Sequence, residues 1–156
     1  QPDCFSSRRP NSASIGTRAF QMALYVVFES NLQMLADNPT LYNMYPDCRD
    51  YIASCPVNWD ETRVLAAEFG EYTIVARRSG NKWYIGGITN ETARDIDVKL
   101  DFLAEGLSYN ATSFTDGINS SVQAMDYRKE STRLSRNSTI RIHMVRNGGY
   151  AAVLEP

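Results

Sequence analysis

The sequence predicts a mainly β chain: an antiparallel β-sandwich of about eight strands, preceded by a short α-helical stretch. Two observations carry this. From residue 57 to the end, apolar residues recur with a period of two, and turn residues separate the runs. Before Pro56 the period is helical, and the change between the two is abrupt.

The helical part opens at Thr17, a suitable N-cap after Gly16. From Thr17 to Ser30 the apolar positions Phe20, Ala23, Leu24, Val27 and Phe28 follow the helical spacing, with Met22, Tyr25 and Val26 on the other side. A helix that is apolar nearly all round is buried on most sides. Asn31 to Leu35 is expected to be a short strand ending at Ala36-Asp37. Asn38-Pro39 then caps and opens a second helix, and Pro46 restarts it as far as about Cys55. A buried helix, a strand and a further helix in that order read as the C-terminal remnant of a (β/α)8 barrel. About fifty residues of this kind are too few to form a stable unit alone.

The strands follow. Val64 to Phe69, Tyr72 to Ser79 and Lys82 to Ile88 are joined by tight turns, Gly80-Asn81 being a hairpin signal. Ala93 to Leu100 alternates, with Ile96, Val98 and Leu100 inward and Asp95, Asp97 and Lys99 outward. Tyr109 to Thr115, Asp126 to Leu134, Thr139 to Met144 and Tyr150 to Leu154 complete the set. Ile140 and Ile142 also belong to inward faces. The expected organisation is a barrel remnant over residues 1–56 and a β-sandwich domain over 57–156.

Composition narrows the function classes. The chain has 156 residues, is 43% hydrophobic and 22% charged, and so carries enough apolar material for a core. A formal charge of −2 argues against a general electrostatic nucleic-acid binder. The longest apolar run, Met22 to Phe28, is too short to span a bilayer. Residues 1–9 are polar, so any export signal is expected to lie outside this chain. Cys4, Cys48 and Cys55 are read as free thiols, since an odd number cannot all pair internally. On a helix, Cys48 and Cys55 stand roughly 10 Å apart, too far to bridge. The single histidine, His143, falls on the solvent face of its strand.

Several segments in order resemble one enzyme family. The run Gly16-Thr17-Arg18-Ala19-Phe20-Gln21-Met22-Ala23-Leu24-Tyr25, continuing to Ser30, is similar to the last barrel segments of family-97 glycoside hydrolases, as is Leu32-Gln33-Met34-Leu35-Ala36-Asp37. Trp59-Asp60-Glu61-Thr62, Gly70-Glu71-Tyr72, Ala76-Arg77-Arg78, Trp83-Tyr84-Ile85-Gly86-Gly87, Phe114-Thr115-Asp116-Gly117, Asp126-Tyr127-Arg128 and Gly148-Gly149-Tyr150-Ala151-Ala152 also resemble that family. The resemblance covers nearly the whole chain from Gly16 onward. It implies a bacterial exo-acting α-glucosidase or α-galactosidase, periplasmic or secreted, with an oligosaccharide substrate. It also implies a β-super-sandwich, a catalytic barrel holding calcium near its carboxylates, and a C-terminal β-domain. On this reading the catalytic and calcium-binding glutamates lie upstream of Gln1, and this chain alone is inactive. It would support the barrel and mediate homo-oligomerisation. Where many members carry Cys-His after Gly-Thr-Arg, this chain has Ala19-Phe20, so no pocket role of that histidine carries over.

Candidate residues are weighed against ordinary roles. Asp37 follows the expected barrel strand, at the end where barrel sites form, and is a candidate for sugar contact; it equally suits a helix cap. Arg18, in an otherwise apolar helix, is a second contact candidate, or one half of a structural ion pair. Asp60-Glu61 is a tempting carboxylate pair, but neighbours on an irregular segment point apart, so a junction role is expected. No metal ligands are read from this chain, and Asp116-Gly117-Ile118-Asn119 lacks the acidic ligands of a calcium loop. Trp59, Trp83, Tyr84 and Tyr150 could stack on sugars, which makes an independent carbohydrate-binding module the alternative function. Trp83 shares a face with Ile85 and is expected in the core, with Tyr84 facing outward. Arg128, Lys129, Arg133, Arg136, Arg141 and Arg146 form a basic stretch suited to a solvent face. The sequons at Asn90, Asn110, Asn119 and Asn137 are read as chance products of polar loops. Phe20, Leu24, Val27 and Phe28 are the candidate association residues, as an apolar stripe with too little cover within the chain.

Overall fold

The computed structural model describes residues 15–34 and 39–156. Among the described residues three helices, α1 (Arg18–Val27), α2 (Pro39–Asn43) and α3 (Pro46–Ser54), precede eight strands. The strands are β1 (Glu61–Glu68), β2 (Tyr72–Ser79), β3 (Lys82–Thr89), β4 (Arg94–Lys99), β5 (Ser108–Asp116), β6 (Tyr127–Ser135), β7 (Thr139–Met144) and β8 (Gly149–Glu155). All pairings are antiparallel. A six-stranded sheet runs β1-β2-β3-β8-β5-β6, and β4 and β7 form a separate two-stranded sheet.

The large sheet has two covered faces, which gives two apolar cores. On one face Ile74, Trp83, Ile85, Tyr150, Ala152 and Leu154 meet Val98, Ile142 and Met144 of the small sheet. On the other face Val75, Tyr84, Phe114 and Ala151 meet Met22, Ala23 and Val26 of α1 and Tyr51 of α3. Tyr84 is therefore 3% exposed, which corrects the expectation that it faces outward. The alternation along β3 was right, but the face it points to is covered by helices. Its hydroxyl donates to the Ser54 carbonyl at 3.0 Å, which satisfies the polar end of a buried ring.

Helix α1 turns its small side chains to the sheet. Ala19, Met22, Ala23 and Val26 are its buried residues, rather than the Phe20–Leu24–Val27 stripe alone. The floor beneath is equally small: Gly86 lies opposite Ala151, and Ile88 opposite Gly149. A Cβ on Gly86 would stand 2.8 Å from the Val26 Cβ and 2.9 Å from the Ala23 carbonyl oxygen. On Gly149 it would stand 2.4 Å from the Phe20 Cα. Backbone thus lies against backbone, a separation only glycine permits.

Thr17 caps α1 as the sequence predicts, its hydroxyl accepting from the Phe20 amide at 3.1 Å. The strand expected over residues 31–35 does not form over its described part, 31–34. Among the described residues no strand lies beside it to complete a ladder. Ser30 instead folds the chain locally, its hydroxyl donating to the Leu32 carbonyl at 2.7 Å. Asp37, Asn38 and Cys4 lie outside the described residues.

The two edges of the large sheet are both blunted. β1 carries an irregularity between Val64 and Ala66. β6 presents Arg128, Lys129, Glu130 and Arg133 on an almost wholly exposed strand; long charged side chains of this kind discourage further pairing.

Alanine at Gly149 or Gly86 should force α1 off its floor. We expect each substitution to cost about 1–3 kcal/mol by overpacking, read as a lower urea midpoint, with Gly149→Ala the more severe because all three of its nearest obstacles are main chain, whereas two of those at Gly86 are side chain.

Candidate functional site

Both ends of α1 are tied to the β-domain by polar groups. At its start the Thr17 amide donates to the Asn147 carbonyl at 3.0 Å, and the Arg18 amide to the Ala124 carbonyl at 2.8 Å. Asp116, buried at the end of β5, accepts from the Val145 amide at 3.0 Å and the Gly149 amide at 3.1 Å. Burial raises its pKa above the ordinary aspartate value and outweighs the hydrogen bonds that pull it down. At the other end Arg77, buried on β2, donates to the last helical carbonyl, that of Val27, at 3.3 Å. The same guanidinium reaches Glu29 at 3.0 Å and Thr62 at 3.1 Å. A cation there complements the helix dipole and fills an orphan carbonyl.

The sequence candidates separate in space. The Arg18 guanidinium stacks 3.7 Å over the Tyr45 ring and 5.5 Å from that of Tyr127. Among the described residues its buried Nη1 has no hydrogen-bond partner. Tyr127 donates to Asp47 at 2.8 Å. Burial, then Cys48 and Asp47, raise the phenol pKa, so it remains a donor. Asp60 and Glu61 do not form a catalytic pair. Asp60 accepts from the Gly80 amide at 2.7 Å and lies 3.5 Å from Arg78. Glu61 accepts from Arg63 at 2.7 Å and Arg78 at 3.2 Å. The two carboxylates clasp the β2–β3 hairpin. His143 is exposed and pairs with Asp95 at 2.8 Å on the facing strand.

The aromatic candidates lie within the protein rather than on it. Trp83 packs edge-on against Phe102 at 4.7 Å, and the half-buried Trp59 against Tyr84 at 5.3 Å. Tyr150 is also buried. Of the association candidates, Phe20, Leu24 and Val27 are half-buried, and Phe28 is 60% exposed. Phe20 also lines an open cleft of about 680 Å³ with Phe69, Tyr72 and Ile88. Among the described residues no group of three or more His, Cys, Asp or Glu could hold a metal ion.

Sequence reasoning passed over the β5–β6 loop, which exposes Ile118, Val122 and Met125. The signal was available: the three stand at spacings of four and three, in a segment of which only Asp116-Gly117 was read as a turn.

A family model described as glycosyl-hydrolase 97 C-terminal, oligomerisation, matches residues 58–155. The chain belongs to this family. It is 46% identical over 138 residues to a retaining alpha-galactosidase of Bacteroides thetaiotaomicron, covering 88% of this chain and 21% of that protein. It is 34% identical over 146 residues to a probable retaining alpha-galactosidase of Streptomyces bingchenggensis, covering 94% of this chain and 21% of that protein. Its fold matches a glycoside hydrolase family 97 enzyme from Pseudoalteromonas sp. strain K8 solved in complex with panose. That match has a TM-score of 0.86 and 33% identity, over 90% of this chain and 22% of the other. The chain thus spans about a fifth of the length of these relatives.

Two measurements probe these tethers. Asp116→Ala strands the buried Gly149 amide and the half-buried Val145 amide and should cost about 1–3 kcal/mol, whereas Asp116→Asn keeps an acceptor and should cost less. Because the folded pKa is raised, this group's contribution is greatest below the ordinary aspartate range. It declines as pH rises through the folded value, and urea melts of Asp116→Asn should lack that decline. The second concerns the thiols. Cys48 and Cys55 are free and buried, and burial pushes Cys55 up to about 12. In a Cys4→Ser background neither should react with a thiol reagent at neutral pH until denaturant is added.

Proposed function

We propose that this chain is the C-terminal, non-catalytic portion of a bacterial exo-acting α-glycoside hydrolase of α-galactosidase type. It supports a preceding catalytic barrel and holds copies of the enzyme together. The observation that carries this is the 46% identity to a retaining alpha-galactosidase over 88% of the chain. The carboxylates lend support, since hydrolysis needs two carboxyl groups flanking the scissile bond, and Asp60 and Glu61 are spent on Arg78 and a hairpin turn. The oligosaccharide substrate, the calcium ion and export to the periplasm or beyond belong to this reading as properties of the whole enzyme. Arg18 and Asp37 enter it as candidate sugar contacts, Asp37 from its place in the sequence.

The alternative, an independent carbohydrate-binding module, needs coplanar exposed rings. Trp83, Tyr84 and Tyr150 are buried, which favours the scaffold role. The pure chain should give no turnover of p-nitrophenyl α-galactoside or α-glucoside. Turnover abolished by Asp60→Asn would overturn the non-catalytic reading. Retardation of the chain on galactomannan or starch in affinity electrophoresis would instead support the module.

A further inference from the structure

We infer that copies of this chain associate through the β5–β6 loop, residues 117–126, with Ile118, Val122 and Met125 of one copy meeting those of a second across a two-fold axis. The inference rests on the self-association proposed above and assigns its surface. The family segment described as oligomerisation spans residues 58–155 and leaves out α1. Among the described residues of that segment, the exposed large apolar side chains are Val64, Phe69, Leu107, Ile118, Val122 and Met125. The first three are scattered over an edge strand, a hairpin tip and a strand entry. The last three share one loop, at 96%, 65% and 53% exposure.

The loop is built to present them. Its backbone is closed by short bonds: Ser120 to Gly117 at 3.1 Å, Val122 and Gln123 to Asn119 at 2.9 and 2.8 Å, and Asp126 to Gln123 at 2.9 Å. The four-residue bond from Gln123 to Asn119 makes a helical turn, on which positions four apart share a side. Ser120, two residues from both Ile118 and Val122, is turned inward, its hydroxyl donating to the Asp126 carbonyl at 2.6 Å. The Asp126 carboxylate is turned to the loop's own backbone, accepting from the Asn119 amide at 2.8 Å, and the residue is half-buried. The Ala124 carbonyl is held by the Arg18 amide. The polar side of the loop is thus satisfied within the chain, and its apolar side is left to solvent.

Such a patch fits a second copy. It is uncharged and therefore self-compatible across a two-fold axis, and Asn119, Ser121 and Gln123 supply a polar rim. Because the loop is already fixed, little ordering opposes association.

Sedimentation velocity on the chain at tens of micromolar should show a dimer. Ile118→Lys with Met125→Lys should weaken dimerisation at least about tenfold, with circular dichroism and melting temperature unchanged. Phe69→Lys and Phe28→Lys should remain dimeric. In a Cys4→Ser background, Val122→Cys should give a disulfide-linked dimer on mild oxidation, and Phe69→Cys should not. A native dimer undisturbed by the loop substitutions, or dissociated by Phe69→Lys or Phe28→Lys, would overturn this surface and leave self-association standing. A wild-type chain that sediments as a monomer would overturn self-association itself. If the double lysine variant fails to fold, the cysteine pairing decides the matter alone.

Discussion

The contact on which the rest of this structure depends is the seating of α1 on Gly86, Ala151 and Gly149. A central sheet with one covered face would leave Val75, Tyr84, Phe114 and Val153 in water. The helix closes that face, and it does so at backbone distance because neither partner carries bulk there. Close approach multiplies weak dispersion contacts and excludes water from the core between helix and sheet. It also makes the fit intolerant, since there is no side chain to move aside.

Polar tethers fix where along the floor the helix stops. The Thr17 and Arg18 amides, donating to the Asn147 and Ala124 carbonyls, hold one end, and Arg77 reaches the other. These interactions are directional, while the apolar contact beneath them is not. Together they set both position and register, so that Arg18 stacks on Tyr45 and Tyr127 and its amide pins the β5–β6 loop.

The strands were legible because half-buried strands advertise themselves by alternation. β2 and β7 fall on the expected residues, and Val98 and Ile142 point inward as their spacing requires. Alternation names two faces but not what lies against each, which is why Tyr84 was read as exposed. The face of α1 was obscured for a related reason: with apolar residues nearly all round, the sequence cannot say which small side chains meet a glycine floor. The tethers were illegible because Arg77 lies 50 residues from Val27, and Asp116 lies 33 from Gly149. The three exposed apolar residues of the β5–β6 loop were readable in principle, but turn residues around them masked a helical spacing.

The sheet edges carry a consequence for the kind of assembly open to this protein. An open sheet can grow without limit by adding strands at its ends, which is how fibrils begin. Here one terminal strand is kinked between Val64 and Ala66, and the other offers three cationic side chains and one acidic one to any neighbour. Neither is a template for the next copy. Growth by strand addition at these two edges is therefore blocked, and a high local concentration of the protein need not nucleate a fibril by that route.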